Sequence, residues 1–332
     1  MCNMEYSHKI YGLDFLKFVA AVLITNSHFI PVYKDVNVGL ATFGVHGNAL
    51  FFFVAGFLIM KGLLKRKERF DNWMKRRLQR LWPAVFLRAV IAALVWGDGL
   101  SWQKILVAPN YWFLQAIVLY YALFYCVGRL IAIRGGGYIW ILFAVSVLVS
   151  IVSVFLFPQG HGSLFHTHWH YVCHFSVMVM GAMVFMYREK ISSGKLWVDL
   201  LLLAVSFIAY FAIVAVGKGA TDWRWYTQLA ALVPLHSFCY FGYKVCMHGW
   251  CGKLMTHGIW RWPIGWIASL TLEIYVVQFH VITDRFNALF PLNWFIVFGL
   301  VCVTAYLLRV IVNVFLQFMG KDPWLWRQCL RI

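Results

Sequence analysis

Apolar residues fall along this chain in long blocks, separated by short breaks rich in charge, glycine or proline. The blocks cover roughly 10–31, 44–64, 81–97, 111–131, 138–157, 171–187, 196–216, 225–243, 264–283 and 293–317. Each is long enough to carry a helix through the hydrocarbon core of a bilayer, which takes about 20 residues at about 1.5 Å of rise apiece. The pattern predicts an all-α, polytopic integral membrane protein with about ten transmembrane helices. No internal repeat, low-complexity stretch or long linker interrupts it, so 1–332 reads as a single transmembrane domain with no appended soluble domain. The first block lacks a small-residue cleavage signature, and Asp14 and Lys17 interrupt its apolar run, so it is expected to stay as a span rather than leave as a signal peptide.

The distribution of Lys and Arg orients the array. With both termini placed on the cytoplasmic side, 21 of the 29 basic residues fall in inner segments, five in outer ones and three within spans. Positive charge is retained inside during insertion, so both termini are expected to be cytoplasmic. Trp223, Trp225, Tyr226, Trp260, Trp262 and Trp266 lie near the proposed boundaries, where amphipathic rings anchor at the headgroups.

Composition agrees and narrows the function classes. The 332 residues are 62% hydrophobic and only 12% charged, with mean hydropathy +0.74, which excludes an ordinary soluble domain. A net charge of +17 on a soluble protein would point to nucleic acid; here it is written into short loops as a topology signal, and no nucleic-acid partner is expected. The eight cysteines form no CxxC pair and several lie in apolar blocks, so neither a disulfide framework nor a zinc framework is expected.

Four stretches carry candidate chemistry. The first block, IYGLDFLKFVAAVLITNSHFIP, holds Asp14, Lys17 and His28. Ionisable groups in a spanning helix are costly unless they face protein or a water-filled cavity. Lys17 and His28 return to within about 20° of one face, about three turns apart, and Asp14 is placed to pair with Lys17 at i,i+3. Two readings stay open: a polar stripe of functional groups, or boundary residues that snorkel to the headgroups.

Between Lys61 and Arg80 stand nine cations and two acids. Much of this suits topology and attraction to anionic lipid. Arg76, Arg77 and Arg80 enter the third block, and Arg77 and Arg80 share a helix face in a pairing suited to phosphate or pyrophosphate. Trp112 and Gln115, at i,i+3 in the fourth block, read as a packed aromatic with a hydrogen-bonding neighbour or as further contacts to the same ligand. In the ninth block Glu273 and His280 also share a face. Glu273 needs a partner there, and His280, Lys17 or a water chain is available; a purely structural contact between helices is the other reading. The run HGSLFHTHWHYVCH carries His166 and His170 in an outer loop. Its spacing without a nearby carboxylate argues for acceptor binding or a plain loop, and no metal is expected.

Together these stretches resemble the membrane acyltransferases of acyltransferase family 3. LDFLKFVAAVLITNSH is similar to the family's opening span, with Lys17 at the place of its arginine and His28 at that of its histidine. FFFVAGFLI, Phe51 to Ile59, resembles its FFxxSGFLI, with Ala55 where serine is usual. RRLQRLWP, Arg76 to Pro83, resembles its R-x-x-R before an aromatic and a proline, and YWFLQAIVLYY its W-F-L segment. SLTLEIYVVQFH resembles the late span in which a tyrosine precedes a histidine; Gln278 stands nearer that histidine's place and His280 lies two positions on.

The resemblance covers nearly the whole chain. It implies a multi-pass O-acyltransferase of the bacterial cytoplasmic (inner) membrane, with acetyl-CoA or another acyl-CoA as donor. The acceptor it implies is a hydroxyl of an extracytoplasmic surface glycan or lipid-linked glycan, such as an O-antigen, capsule or exopolysaccharide. His28 is then the catalytic histidine, with Lys17, Asp14 and Glu273 beside it in the chemistry. Lys17, Arg76, Arg77, Arg80, Trp112 and Gln115 are on the donor side, and His280, His166 and His170 on the acceptor side. Lysine for arginine at position 17 keeps the charge but loses the planar fork. The physical reading runs alongside: cations at the inner face hold the nucleotide end of acyl-CoA while its arm runs toward His28, about 16 Å beyond Lys17 by helical rise. The alternative class is a transporter of a small anionic or glycan-related solute with Asp14, Lys17 and Glu273 as a charge relay, against which stands the lack of a repeat and of paired broken helices.

Overall fold

The apolar blocks fold as helices. The computed structural model describes residues 11–66, 68–106, 111–156, 169–191, 194–219, 224–320 and 324–330, and no strand occurs among them. In chain order the helices are α1 (Tyr11–Ser27), α2 (Gly44–Lys65), α3 (Phe70–Val95), α4 (Trp102–Leu106), α5 (Trp112–Arg134), α6 (Tyr138–Leu156), α7 (His170–Tyr187), α8 (Leu196–Gly219), α9 (Arg224–Ala230), α10 (Leu232–Met247), α11 (Gly249–His257), α12 (Arg261–Ser269), α13 (Thr271–Val281), α14 (Leu292–Met319) and α15 (Trp326–Cys329).

Among the described residues, α2, α3, α5, α6, α7, α8 and α14 are long and apolar enough to cross a membrane, and the bent pair α12 and α13 adds an eighth span if counted as one. The fold is thus the expected helical polytopic membrane protein, but three of the expected blocks take other forms. The first is α1, a helix of 17 residues. The block at 225–243 is divided at Ala231 into α9 and α10. Pro234 lies in the first turn of α10; it donates no N–H to the turn before it and its ring crowds the carbonyl four residues back, so a single regular helix does not run through. The block at 264–283 is divided into α12 and α13, bent by 79° at the break. There Ser269 Oγ donates to Trp266 O at 2.7 Å, a local bond that competes with the helix ladder, and the fully buried Leu270 turns the chain. The basic stretch is also less of a loop than its charge suggests. Helix α3 begins at Phe70, so Arg76, Arg77 and Arg80 ride on its first half, ahead of the internal Pro83.

The chain divides into two compact units. The first takes the described residues of Met1–Ala20, His46–Leu58 and Trp140–Ser269, and α10 packs in it against α8 and α7. Buried Asp199 of α8 holds Lys244 Nζ at 2.7 Å and His248 Nε2 at 2.8 Å, joining α8 to the end of α10. In the same unit α2 crosses α7 at very short range: a Cβ at Gly56 would overlap the Met178 carbonyl oxygen, and one at Gly181 would overlap that of Phe53. Helices in lipid gain from such close approach because burial against lipid tails gives them little. This explains the glycine of FFFVAGFLI. Gly181→Val must push two backbones apart, and a loss of about 1–3 kcal/mol is expected, read as a lower midpoint of thermal unfolding. An unchanged midpoint would show that the crossing does not depend on contact at this position.

The second unit takes the described residues of Ala21–Val45, Ile59–Ile139 and Leu270–Ile332. Its centre is the mutual packing of α3, α13 and α14, with α5 against α3.

Candidate active site

His28 directly follows the last residue of α1, and its backbone N–H bonds Thr25 O at 3.0 Å. The helix therefore closes with a tightened i,i−3 turn, and the eleven-residue spacing no longer fixes a common face with Lys17 by itself. The position of His28 is set by Asn26, which is 8% exposed. Its Nδ2 donates to Leu40 O at 2.9 Å and Thr42 O at 3.1 Å, and its Oδ1 accepts from Tyr33 Oη at 2.7 Å and Trp294 Nε1 at 3.1 Å. Every donor and lone pair of the amide is used, which ties the segment after α1 back on itself and onto α14. Asn287 Nδ2 to Pro31 O and Asn293 Nδ2 to Val32 O, both 3.0 Å, pin the same segment. Asn26→Leu strands these partners and is expected to cost about 1–3 kcal/mol. Chemical denaturation of the purified variant measures it, and wild-type stability would remove Asn26 from the support of His28.

The half-buried His28 ring packs edge-on against Phe279 of α13, with centroids 4.6 Å apart, and makes no hydrogen bond to another described residue. Phe279 also meets the ring of Tyr111 at 5.4 Å, and Tyr111 Oη donates to Val276 O at 2.8 Å. The guanidinium of Arg88 lies over the Tyr111 ring, 4.9 Å from its centroid. Arg88 Nη2 stands 3.0 Å from His280 Nδ1, and His280 Nε2 stands 3.2 Å from Asp98 Oδ2. Arginine offers only donors, so this assigns Nδ1 as acceptor and Nε2–H as the donor to Asp98. The hydrogen bond from His280 holds the Asp98 carboxyl below its ordinary range. Helices α1, α3 and α13, with the segments before α5 and after α3, thus link one imidazole whose ring bonds no described residue, by way of Phe279, Tyr111 and Arg88, to a second that is polarised from both sides.

Further along α13, Glu273 is 1% exposed. Its partner is neither His280 nor Lys17 but Arg309 of α14, with Nη2 to Oε2 at 2.9 Å and Nε to Oε1 at 2.8 Å. Glu273 and His280 therefore share a helix but not a partner. Gln278, fully buried between them in sequence, has both amide atoms without a hydrogen bond to any described residue. In α1, Lys17 Nζ and Asp14 Oδ1 form the expected i,i+3 ion pair at 2.6 Å.

On the basic half of α3 the three arginines differ. Arg76 is paired with Glu68. Arg77 lies over the rings of both Trp73, at 5.3 Å, and Tyr121, at 5.6 Å, which themselves meet edge-on at 5.9 Å. Arg80 is exposed. Trp112 packs on Phe113 at 6.1 Å, and Gln115 is half-buried on α5. His170 opens α7 in the first unit, with its ring on Tyr171 at 4.6 Å. His166 lies outside the described residues. No group of three or more His, Cys, Asp or Glu among the described residues is placed to hold a metal ion.

A family model for the acyltransferase domain of acyltransferase family 3 matches residues 10–310. The chain belongs to acyltransferase family 3. No curated protein and no solved structure matches it. The protein is accordingly a membrane acyltransferase, and the family match spans His28, Arg88, Asp98, Tyr111, Phe279 and His280 alike. Arg88 and Arg309 were visible in the sequence of this family 3 chain as charges inside apolar blocks, a signal of function by default. Asn26, Asp98 and Tyr111 carried no comparable signal.

Proposed function

We propose that this acyltransferase moves acetyl from acetyl-CoA, taken from the cytoplasm, to a hydroxyl of an extracytoplasmic glycan, in the inner membrane of a bacterium. The observation that carries the reading is His28, held by the Asn26 network with no ring hydrogen bond to another described residue and packed on Phe279, the residue before His280 of the Arg88, His280 and Asp98 chain. In the reaction, neutral His28 takes the proton of the acceptor hydroxyl as its oxygen attacks the thioester carbonyl. The C–O bond forms, the C–S bond breaks, and the CoA thiolate leaves with the proton that His28 returns. Arg88 and buried Gln278 are the donors we assign to the developing negative charge, which fixed donors in a dry site stabilise strongly. Lys17 with Asp14, and Glu273 with Arg309, keep charge at fixed depth. Acceptor contacts fall to His280, with His170 and His166 as further candidates.

On the donor side the phosphates of acetyl-CoA are assigned to Arg77 and Arg80, with Trp112 and Gln115 of α5 as further donor-side candidates; Arg76 is already engaged by Glu68. Arg77→Ala and Arg80→Ala should each lose a charge-assisted contact of about 1.5–3 kcal/mol, or roughly ten- to hundredfold in affinity. Titration of well-folded variants with acetyl-CoA checks this, and unchanged affinity would leave the pair to membrane topology alone. The acceptor class is tested by mass spectrometry of surface glycans from cells with and without the protein. Loss of O-acetyl groups in its absence is the expected result, and unaltered glycans contradict it.

A further inference from the structure

Arg88 of α3 and Arg309 of α14 both lie within apolar blocks, and they are held in different ways. Arg309 meets the Glu273 carboxylate directly, charge against charge. Among the described residues no carboxylate bonds Arg88. Its Nη2 instead stands 3.0 Å from Nδ1 of His280 and 3.5 Å from Nε2, and the carboxylate, Asp98, is on the far side of the ring, 3.2 Å from Nε2. A guanidinium held by a ring lone pair, with its counter-charge one side chain removed, is oriented without being neutralised. The arrangement depends on which nitrogen of His280 carries the proton. With the proton on Nε2, Nδ1 accepts from Arg88; with it on Nδ1, two donors face each other and the bond to Arg88 is lost. Asp98 makes the selection, since a carboxylate is an acceptor and draws the proton to Nε2.

The backbone delivers Asp98 to that place. Helix α3 ends at Val95, and just past its C-cap Gly97 takes φ +71°. This left-handed turn folds the chain back, so that Asp98 N–H reaches Ala92 O at 3.3 Å, the carbonyl that Trp96 N–H bonds at 3.0 Å. Trp96 and Asp98 consequently flank His280, the indole 4.9 Å from its ring and the carboxylate on its Nε2. A Cβ at Gly97 would meet no atom within 4 Å, so backbone conformation alone calls for glycine there. The Asp98 side chain is 41% exposed, so replacing it removes little packing.

We propose that Asp98 is a positioning residue of the acyl transfer: it sets the tautomer of His280, and through it holds Arg88, still charged, for the negative charge that develops on the thioester carbonyl. The use of Arg88 in the chemistry rests on the acyl-transfer reading; the tautomer does not. The full chain, reconstituted in lipid with nitrogen-labelled histidine, is examined by solid-state NMR, the His280 signals being those that vanish in His280→Gln. Wild type should show Nδ1 without a proton and Nε2 with one at neutral pH. Asp98→Leu should mix the two tautomers and lower kcat for transfer from acetyl-CoA by about tenfold or more, with KM for the donor within about twofold, the mark of an interaction made only in the transition state. Asp98→Asn, whose amide oxygen still accepts from Nε2–H, should restore the single tautomer and most of kcat. Gly97→Val, whose branched side chain disfavours a positive φ, should copy Asp98→Leu with the carboxylate still present, and stands in if Asp98→Leu fails to fold. A single tautomer in both Asp98→Leu and Gly97→Val, or mixed tautomers with kcat unaltered, overturns the proposal. The expected tautomers in a wild-type protein that transfers nothing from acetyl-CoA overturn the donor reading instead and leave Asp98 setting the tautomer.

Discussion

His28→Ala is expected to remove acyl transfer, with a drop of about 10²–10⁴ in turnover, the range that a positioned general base supplies. Acetyl-CoA affinity should stay close to wild type, because the cations assigned to the nucleotide end are on the first half of α3 and His28 is at the far end of α1. The fold should also survive, since the His28 ring makes one aromatic contact and no hydrogen bond among the described residues, while Asn26 carries the local architecture. Turnover and equilibrium binding measured on one preparation separate the two effects. A variant that binds donor normally yet turns over at near-wild-type rate would take His28 out of the chemistry.

Arg309→Met should produce the largest loss of stability. It strands the Glu273 carboxylate, 1% exposed, with its nearest cation gone. Breaking a buried ion pair from one side typically costs about 3–5 kcal/mol, since the remaining charge keeps its burial and loses its partner. The pair joins α13 to α14, and α13 carries Phe279 and His280, so activity should fall together with stability. The double variant Glu273→Gln with Arg309→Met removes both charges and should recover much of the loss. If Arg309→Met alone unfolds at the wild-type denaturant concentration, the pair is not holding the two helices.

The helical, multi-pass fold was legible because apolar blocks of spanning length survive any detail of packing. What was not legible came from single residues acting on their neighbours, such as Ser269 bonding Trp266 where α12 breaks from α13. The site divides the same way. The Asp14 and Lys17 pair could be read from spacing because i,i+3 is a local relation. The partner of Glu273 could not, since Arg309 lies 36 residues away, and Arg88 meets His280 across 192. Periodicity placed Glu273 and His280 on one face, correctly, but a shared face does not decide what each touches on the helices packed against it. Asn26 passed unnoticed as one amide in an apolar run, and its weight comes from four partners, three in the segment after α1 and one on α14, that no spacing rule connects.

In the proposed reaction acetyl crosses the membrane by way of His28. Sealed inside-out vesicles containing acceptor glycan in the lumen and given labelled acetyl-CoA outside measure that directly. Label should appear on luminal glycan with the wild-type protein and be absent with His28→Ala at equal protein level. Label confined to the side of addition, or luminal label that persists in the variant, would contradict it.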